Sequence, residues 1–111
     1  MEMQVKELLL SGGVSPFGQW FERLDAVPAA KVATAIARLQ QGNTSSVKWF
    51  EGIGEYRIDW GPGYRIYLAR DGLQLILLLG GGTKKRQAKD IRLAIELWNV
   101  YRVSKRPARR T

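Results

Sequence analysis

Arg57, Arg65, Tyr67, Lys84, Lys85, Arg86 and Lys89 have the residue types and the spacing for phosphate chemistry. Arg57 and Arg65 sit in two segments of alternating polarity on either side of Gly61-Pro62-Gly63, which places them on neighbouring strands of a hairpin. Alternation assigns Tyr56, Ile58 and Trp60 to the core face together with Tyr64, Ile66 and Leu68. It leaves Arg57, Arg65 and Tyr67 on an exposed, basic and aromatic face. A third strand then runs out through Gly80-Gly81-Gly82 into Thr83-Lys84-Lys85-Arg86, read as a flexible loop of cations ahead of a helix N-terminus. Such cations can hold backbone phosphates without reading bases. Converging on a pentavalent phosphate, they would also stabilise transition-state charge, typically by about 10²–10³ in rate per donor. The same spacing suits a solvated basic turn. Ion pairing among Glu55, Arg57 and Asp59 would account for the strand residues.

Other chemistries are excluded by composition or by pattern. The sequence contains neither cysteine nor histidine, so disulfides, thiolate metal sites and a neutral-pH imidazole base are absent. Proton transfer would fall to a Lys, a Tyr or a carboxylate of shifted pKa. The glycine run is not a Walker loop, because no glycine immediately precedes a Lys-Ser/Thr pair, and no dinucleotide fingerprint occurs. No cofactor and no metal is therefore expected. The formal net charge is +8, half of it carried by Lys105, Arg106, Arg109 and Arg110, so the body is basic without its end. A polyanion or an acidic protein is the partner this charge favours. No apolar run reaches the ~20 residues of a membrane helix, and the first residues lack a signal-peptide pattern, so a cytoplasmic protein is expected.

The elements that must position these residues are legible in outline. The 111-residue chain suits one domain, expected over residues 1–103, with a flexible basic tail at 104–111. A first strand is expected within Met3–Leu10. Ser15-Pro16 opens a helix whose Phe17, Trp20, Phe21 and Leu24 face the core rather than a base. A second helix, Ala29 to Gln41, buries Val32, Ile36 and Leu39 and stops at Gly42-Asn43. Thr44–Phe50 reads as irregular. Three antiparallel strands follow, about Ile53–Trp60, Tyr64–Ala69 and Leu73–Leu79, the last two joined by a two-residue turn at Asp71-Gly72. The apolar run of the third suits a strand covered on both faces. Gln87 to about Val103 forms a helix with Ile91, Ala94, Ile95, Trp98 and Tyr101 inward. The order is β-α-α-β-β-β-α, an α+β domain with a small, mainly antiparallel sheet, an N-terminal helical hairpin and a C-terminal helix.

Three linked strings carry a family resemblance: Glu55-Tyr56-Arg57-Ile58, then Gly61-Pro62-Gly63-Tyr64-Arg65-Ile66-Tyr67, then Leu78-Leu79-Gly80-Gly81-Gly82-Thr83-Lys84-Lys85-Arg86-Gln87-Ala88-Lys89-Asp90-Ile91. In order and spacing they resemble the "addiction module killer" branch of the RelE/ParE toxin superfamily, the HigB-like toxins of type II toxin–antitoxin modules. The resemblance implies a RelE-like fold, a cognate antitoxin partner, and inhibition of translation by cleaving mRNA on the ribosome. In that chemistry the RNA's own 2′-hydroxyl attacks the adjacent phosphate, so no metal is required. Carried over by position, Arg57, Arg65, Lys84 and Lys85 are the catalytic cations, with Tyr67, Arg86 and Lys89 as RNA-binding residues. The sequence departs from the family's pattern in lacking the histidine that some ribosome-dependent members use and in having Gly82-Thr83 where an acidic residue often precedes the lysine. Tyr101 lies within the apolar stripe of the last helix. The superfamily also contains ParE-like, non-enzymatic inhibitors of DNA gyrase and inactive members that bind only their antitoxin, and both alternatives stay open.

Overall fold

The computed structural model describes residues 2–105. Ser15 and Pro16 start a helix as their chemistry requires. The Ser15 hydroxyl accepts a 2.8 Å hydrogen bond from the Gly18 backbone N–H, and Pro16 opens α1 (Pro16–Glu22). The second helix, α2 (Ala26–Gln40), begins a turn earlier than the sequence suggests. Pro28 falls within its first turn, where a missing N–H breaks no helical bond. Its end is a Schellman cap: the Gly42 N–H donates to the Leu39 carbonyl at 2.9 Å and the Asn43 N–H to that of Arg38 at 2.9 Å. Gly42 supplies the left-handed φ of 83° that this cap needs.

Five strands form one mixed sheet in the order β1-β5-β4-β3-β2. They are β1 (Gln4–Glu7), β2 (Val47–Phe50), β3 (Ile53–Ile58), β4 (Tyr64–Asp71) and β5 (Leu75–Thr83). Strand β1 pairs with β5 in parallel and every other pairing is antiparallel. The α+β class stands, with one strand more than expected. That strand, β2, lies in the segment read as irregular. It is a short edge strand exposing Lys48 and Trp49, and Glu51 and Gly52 turn it into β3 with φ of 49° and 85°. Two consecutive positive φ values are the mark of a two-residue primed turn. The β4–β5 loop also differs: Asp71 pairs with Leu75, so three residues intervene instead of two. The third, Gln74, is held because its carbonyl accepts from the Gln4 N–H of β1 at 2.7 Å.

The glycine run is likewise strand, not loop. Tyr64, Arg65, Ile66 and Tyr67 pair with Thr83, Gly82, Gly81 and Gly80. Beyond them Leu68 pairs with Leu78, leaving Leu79 as the extra residue of a β-bulge. The bulge restores the alternation so that Gly81 faces α1 and Gly82 faces the last helix. A Cβ on Gly81 would strike the Trp20 ring, and one on Gly82 would strike the Asp90 carboxylate. Glycine is required here by close approach, not for flexibility.

Both faces of the sheet are covered. Phe17, Val32, Ala35 and Leu39 from α1 and α2 pack on Tyr56, Ile66, Leu68, Ile76 and Leu78. On the other face α3 (Gln87–Lys105) lays Ala94 and Trp98 over Ile53, Tyr67, Ala69, Leu77 and Leu79. Burying each large apolar side chain of these clusters contributes about 1.5–3 kcal/mol relative to leaving it exposed. The face read as open is thus closed. Arg65 is 5% exposed and Tyr67 is fully buried, and of the three residues placed there only Arg57 reaches solvent. Ser104 and Lys105, expected in the tail, belong to α3, and Lys105 Nζ and the Tyr101 hydroxyl both bond Asp71 Oδ2, at 2.5 and 2.7 Å. The rest of that expected tail, 106–111, lies outside the described residues. No helix among the described residues is long and apolar enough to cross a membrane.

Candidate functional site

Glu55, central to β3 and 1% exposed, organises the charged end of the sheet. Arg57 Nε donates to its Oε1 at 2.8 Å, and Gln87 Nε2, from the first turn of α3, donates to its Oε2 at 2.8 Å. Arg65 Nε stands 3.9 Å from Oε2, an ion-pair distance too long for a hydrogen bond. Burial pushes the Glu55 carboxyl up most strongly. The Arg57 and Gln87 hydrogen bonds and the charges of Arg57 and Arg65 together outweigh it, so its pKa falls below the ordinary value and it is held as an anion.

The turn between β3 and β4 brings the loop cations to this network. The Gly63 carbonyl accepts from Arg65 Nη1 at 3.3 Å and from the Lys84 backbone N–H at 2.9 Å. One carbonyl thus fixes the buried guanidinium and the start of the 3-10 turn Lys84–Arg86, which leads directly into α3. Gly63 takes φ 77°, and a Cβ there would sit 3.3 Å from Arg65 Nη1 and 3.5 Å from Lys84 Cβ. The result is an exposed belt of Arg57, Lys84, Lys85, Arg86 and Lys89, with Arg65 beneath it.

Two hollows flank the belt. A groove of about 350 Å³ between α2 and the end of β3 is lined by Lys31, Arg38, Arg57 and Trp60. Lys31 Nζ lies 5.1 Å from the Trp60 ring centroid, and Trp60 stacks on Tyr64 with centroids 6.2 Å apart. A cleft of about 320 Å³ opens between α1 and α3 over the glycine strand, lined among others by Trp20, Arg23, Tyr67, Arg86 and Asp90. Burial, then the charge and hydrogen-bonding reach of its cross-strand neighbour Glu55, pushes the Tyr67 phenol far up, and its enclosed hydroxyl makes no well-aligned hydrogen bond among the described residues. Burial raises the Asp90 carboxyl against the opposing pull of Arg86 and Lys89.

The structure therefore brings Arg57, Arg65 and Gln87 around one carboxylate, ties the Lys84 backbone to the Gly63 carbonyl that also holds Arg65, and places Lys85, Arg86 and Lys89 on the adjoining turn and helix. Chemically, this array can neutralise and orient phosphates. Glu55 is held charged and Tyr67 neutral, so neither changes protonation easily near neutral pH. Tyr67 has no exposed ring on which RNA could stack, correcting the reading of an open aromatic face. Sequence reasoning passed over Gln87, Asp90 and Arg23, whereas Trp20 packs against the core as expected. The signal for Asp90 was available: an acid in the first turn of α3, one helical turn after Arg86.

Fold and site together define an α+β domain with a buried carboxylate–guanidinium network beneath an exposed cationic belt. An uncharacterized protein of Haemophilus influenzae is 42% identical over 96 residues, which is 85% of this chain and 91% of that protein, and the chain belongs to the same family. No protein-family model and no solved structure matches the chain.

Proposed function

We propose that the protein is the toxin of a type II toxin–antitoxin module, with a RelE-like fold, that cleaves mRNA on the ribosome. The observation carrying this reading is the exposed belt of Arg57, Lys84, Lys85, Arg86 and Lys89 braced on the Glu55 network. The linked sequence motifs that resemble HigB-like toxins fall on this same belt. RNA phosphates lie along the belt, and Arg57 and Lys84 stabilise the charge that builds on the scissile phosphate. The 2′-hydroxyl attacks the adjacent phosphorus, the bond to the 5′-oxygen breaks, and that oxygen leaves with a proton. A 2′,3′-cyclic phosphate and a free 5′-hydroxyl remain. Arg65 is a positioning residue here, holding Glu55 and the Gly63 turn. The cognate antitoxin is a protein whose acidic or amphipathic segment covers the belt.

A bacterial cell-free translation reaction containing the purified protein tests the reading. Primer extension on a translated reporter mRNA should show cuts that are absent when translation is blocked. Intact mRNA with arrested DNA supercoiling would replace the reading with gyrase inhibition. Neither effect, from folded protein that binds an antitoxin, would leave a module that only binds its partner.

A further inference from the structure

Strand β5 keeps one side of its second half unpaired. Strand β1 runs beside it only from Leu75 to Leu78, and the last bond between them joins the Leu8 N–H to the Leu78 carbonyl at 3.0 Å. Past that point β5 continues to Thr83 paired with β4 alone. The outer N–H and C=O groups of Leu79–Thr83 therefore have no strand partner among the described residues. These same five residues line the cleft of about 320 Å³, which α1 walls on one side of the sheet and α3 on the other. Trp20 covers Gly81 from the α1 side and Asp90 covers Gly82 from the α3 side, so the strand is capped above and below while its edge faces the cleft.

A row of free backbone donors and acceptors is a template for another strand. We infer that this edge takes an extended, acidic segment of a protein partner, which pairs with Leu79–Thr83 and adds a strand beside β5. Successive side chains of such a segment point to opposite faces. Two adjacent acidic residues then reach one wall each, Arg23 on the α1 side and the Arg86 that precedes α3, both exposed and both lining the cleft. Trp20 and Leu93 give the walls apolar surface for the residues beside them. A polynucleotide would offer phosphates to the N–H groups but leave the carbonyls unmatched. A second copy of this chain would bring Lys48 of its own edge strand β2 against the arginines, like charge against like on a chain of net charge +8. Arg86 belongs to the belt as well, so a segment lying along the belt continues into this edge. The inference deepens the proposed antitoxin contact and rests on that reading for the partner's identity.

The probe is the capped peptide acetyl-Thr-Val-Glu-Glu-Val-Thr-amide, titrated into the full-length, nitrogen-15-labelled protein. Amide exchange at the outward N–H groups of Leu79–Thr83 should slow about tenfold or more at saturation. Replacing the two glutamates of the peptide by lysine should abolish this protection. Replacing its valines by proline, which removes ladder donors, should abolish it too. Arg23→Glu should weaken the glutamate peptide about tenfold and admit the lysine peptide. The lysine and proline peptides decide the matter on the parent protein if that variant fails to fold. No protection at Leu79–Thr83, equal protection by the proline peptide, or an unchanged charge preference in folded Arg23→Glu would each overturn the inference. So would protection of the same amides by an oligouridylate in place of the peptide, or protection that grows with protein concentration alone. The cell-free cleavage reaction separates the two proposals. Translation-dependent cuts by a protein whose edge takes no peptide would leave the nuclease and remove the docking edge. Peptide pairing at the edge without any cuts would do the reverse.

Discussion

Arg65→Ala should damage the fold before it damages any chemistry. Arg65 is 5% exposed and its Nε stands 3.9 Å from the buried Glu55 carboxylate. Removing one partner of a buried pair usually costs about 3–5 kcal/mol, because an uncompensated charge remains. Here Glu55 keeps Arg57 and Gln87, each at 2.8 Å, so the electrostatic part should fall below that range. The side chain also withdraws its methylenes from the core, at about 0.8 kcal/mol each. We expect a total near 3 kcal/mol, which at this chain length lowers Tm by about 12 °C. Arg65→Met keeps most of the buried methylene area and should lose only about 1 kcal/mol, or about 4 °C. Adding Glu55→Gln to Arg65→Met should cost less than the two single losses combined, because the carboxylate that needed a cation is gone. Circular-dichroism melts at neutral pH measure the parent, the three single variants and the double variant. An Arg65→Ala variant melting within about 2 °C of the parent would mean a solvated side chain, and the reasoning would fail.

The glycine strand offers a paired test. Gly81→Ala should cost about 1–3 kcal/mol by forcing Trp20 aside, whereas Gly80→Ala, in open space, should leave the urea midpoint within error. Acid should reveal Glu55. Its pKa is lowered by folding, so its contribution is full above the ordinary carboxylate value and is lost as pH falls through the folded one. Between about pH 5 and pH 3 the parent should therefore lose stability more steeply than Glu55→Gln. Asp90 runs the other way. Burial raises its pKa, so the folded state gains from the protonated form at low pH and loses that gain as pH rises through the folded value. Asp90→Asn should then raise the urea midpoint at pH 7, and a fall would show that Arg86 and Lys89 outweigh burial.

Much of the fold was legible because local signals were strong: Ser15-Pro16, the Gly42-Asn43 stop, and period-two alternation on β3 and β4. Strand β2 was not, since its polar, edge-strand composition and a Glu51-Gly52 turn lack the usual hairpin signature. The larger miss lay in the second face of the sheet. The unbroken apolar run of β5 implied cover on both sides, and Leu77 and Leu79 share α3 with their β4 neighbours Tyr67 and Ala69. Cover over β5 therefore extends over β4, which buries Tyr67 and Arg65. Alternation gives the side a residue faces, not whether a helix lies upon that side. The triple glycine misled for a related reason. Its composition says freedom, whereas its contacts with Trp20 and Asp90 say close packing. The exposure of Arg57, Lys84, Lys85, Arg86 and Lys89 was legible from their charge, since a cation stays at the surface unless a buried partner is strong enough to offset its desolvation.

Controlled expression in bacteria, with transcriptome-wide mapping of mRNA 5′ ends, tests the central claim most directly. Arg57→Ala is the informative control, because Arg57 is exposed where Arg65 is not. Cells making the parent protein should show codon-phased ends bearing 5′-hydroxyls. In cells making folded Arg57→Ala, those ends should be reduced by about 10²-fold or more. Growth arrest without new ends, or undiminished ends in the variant, would contradict that claim.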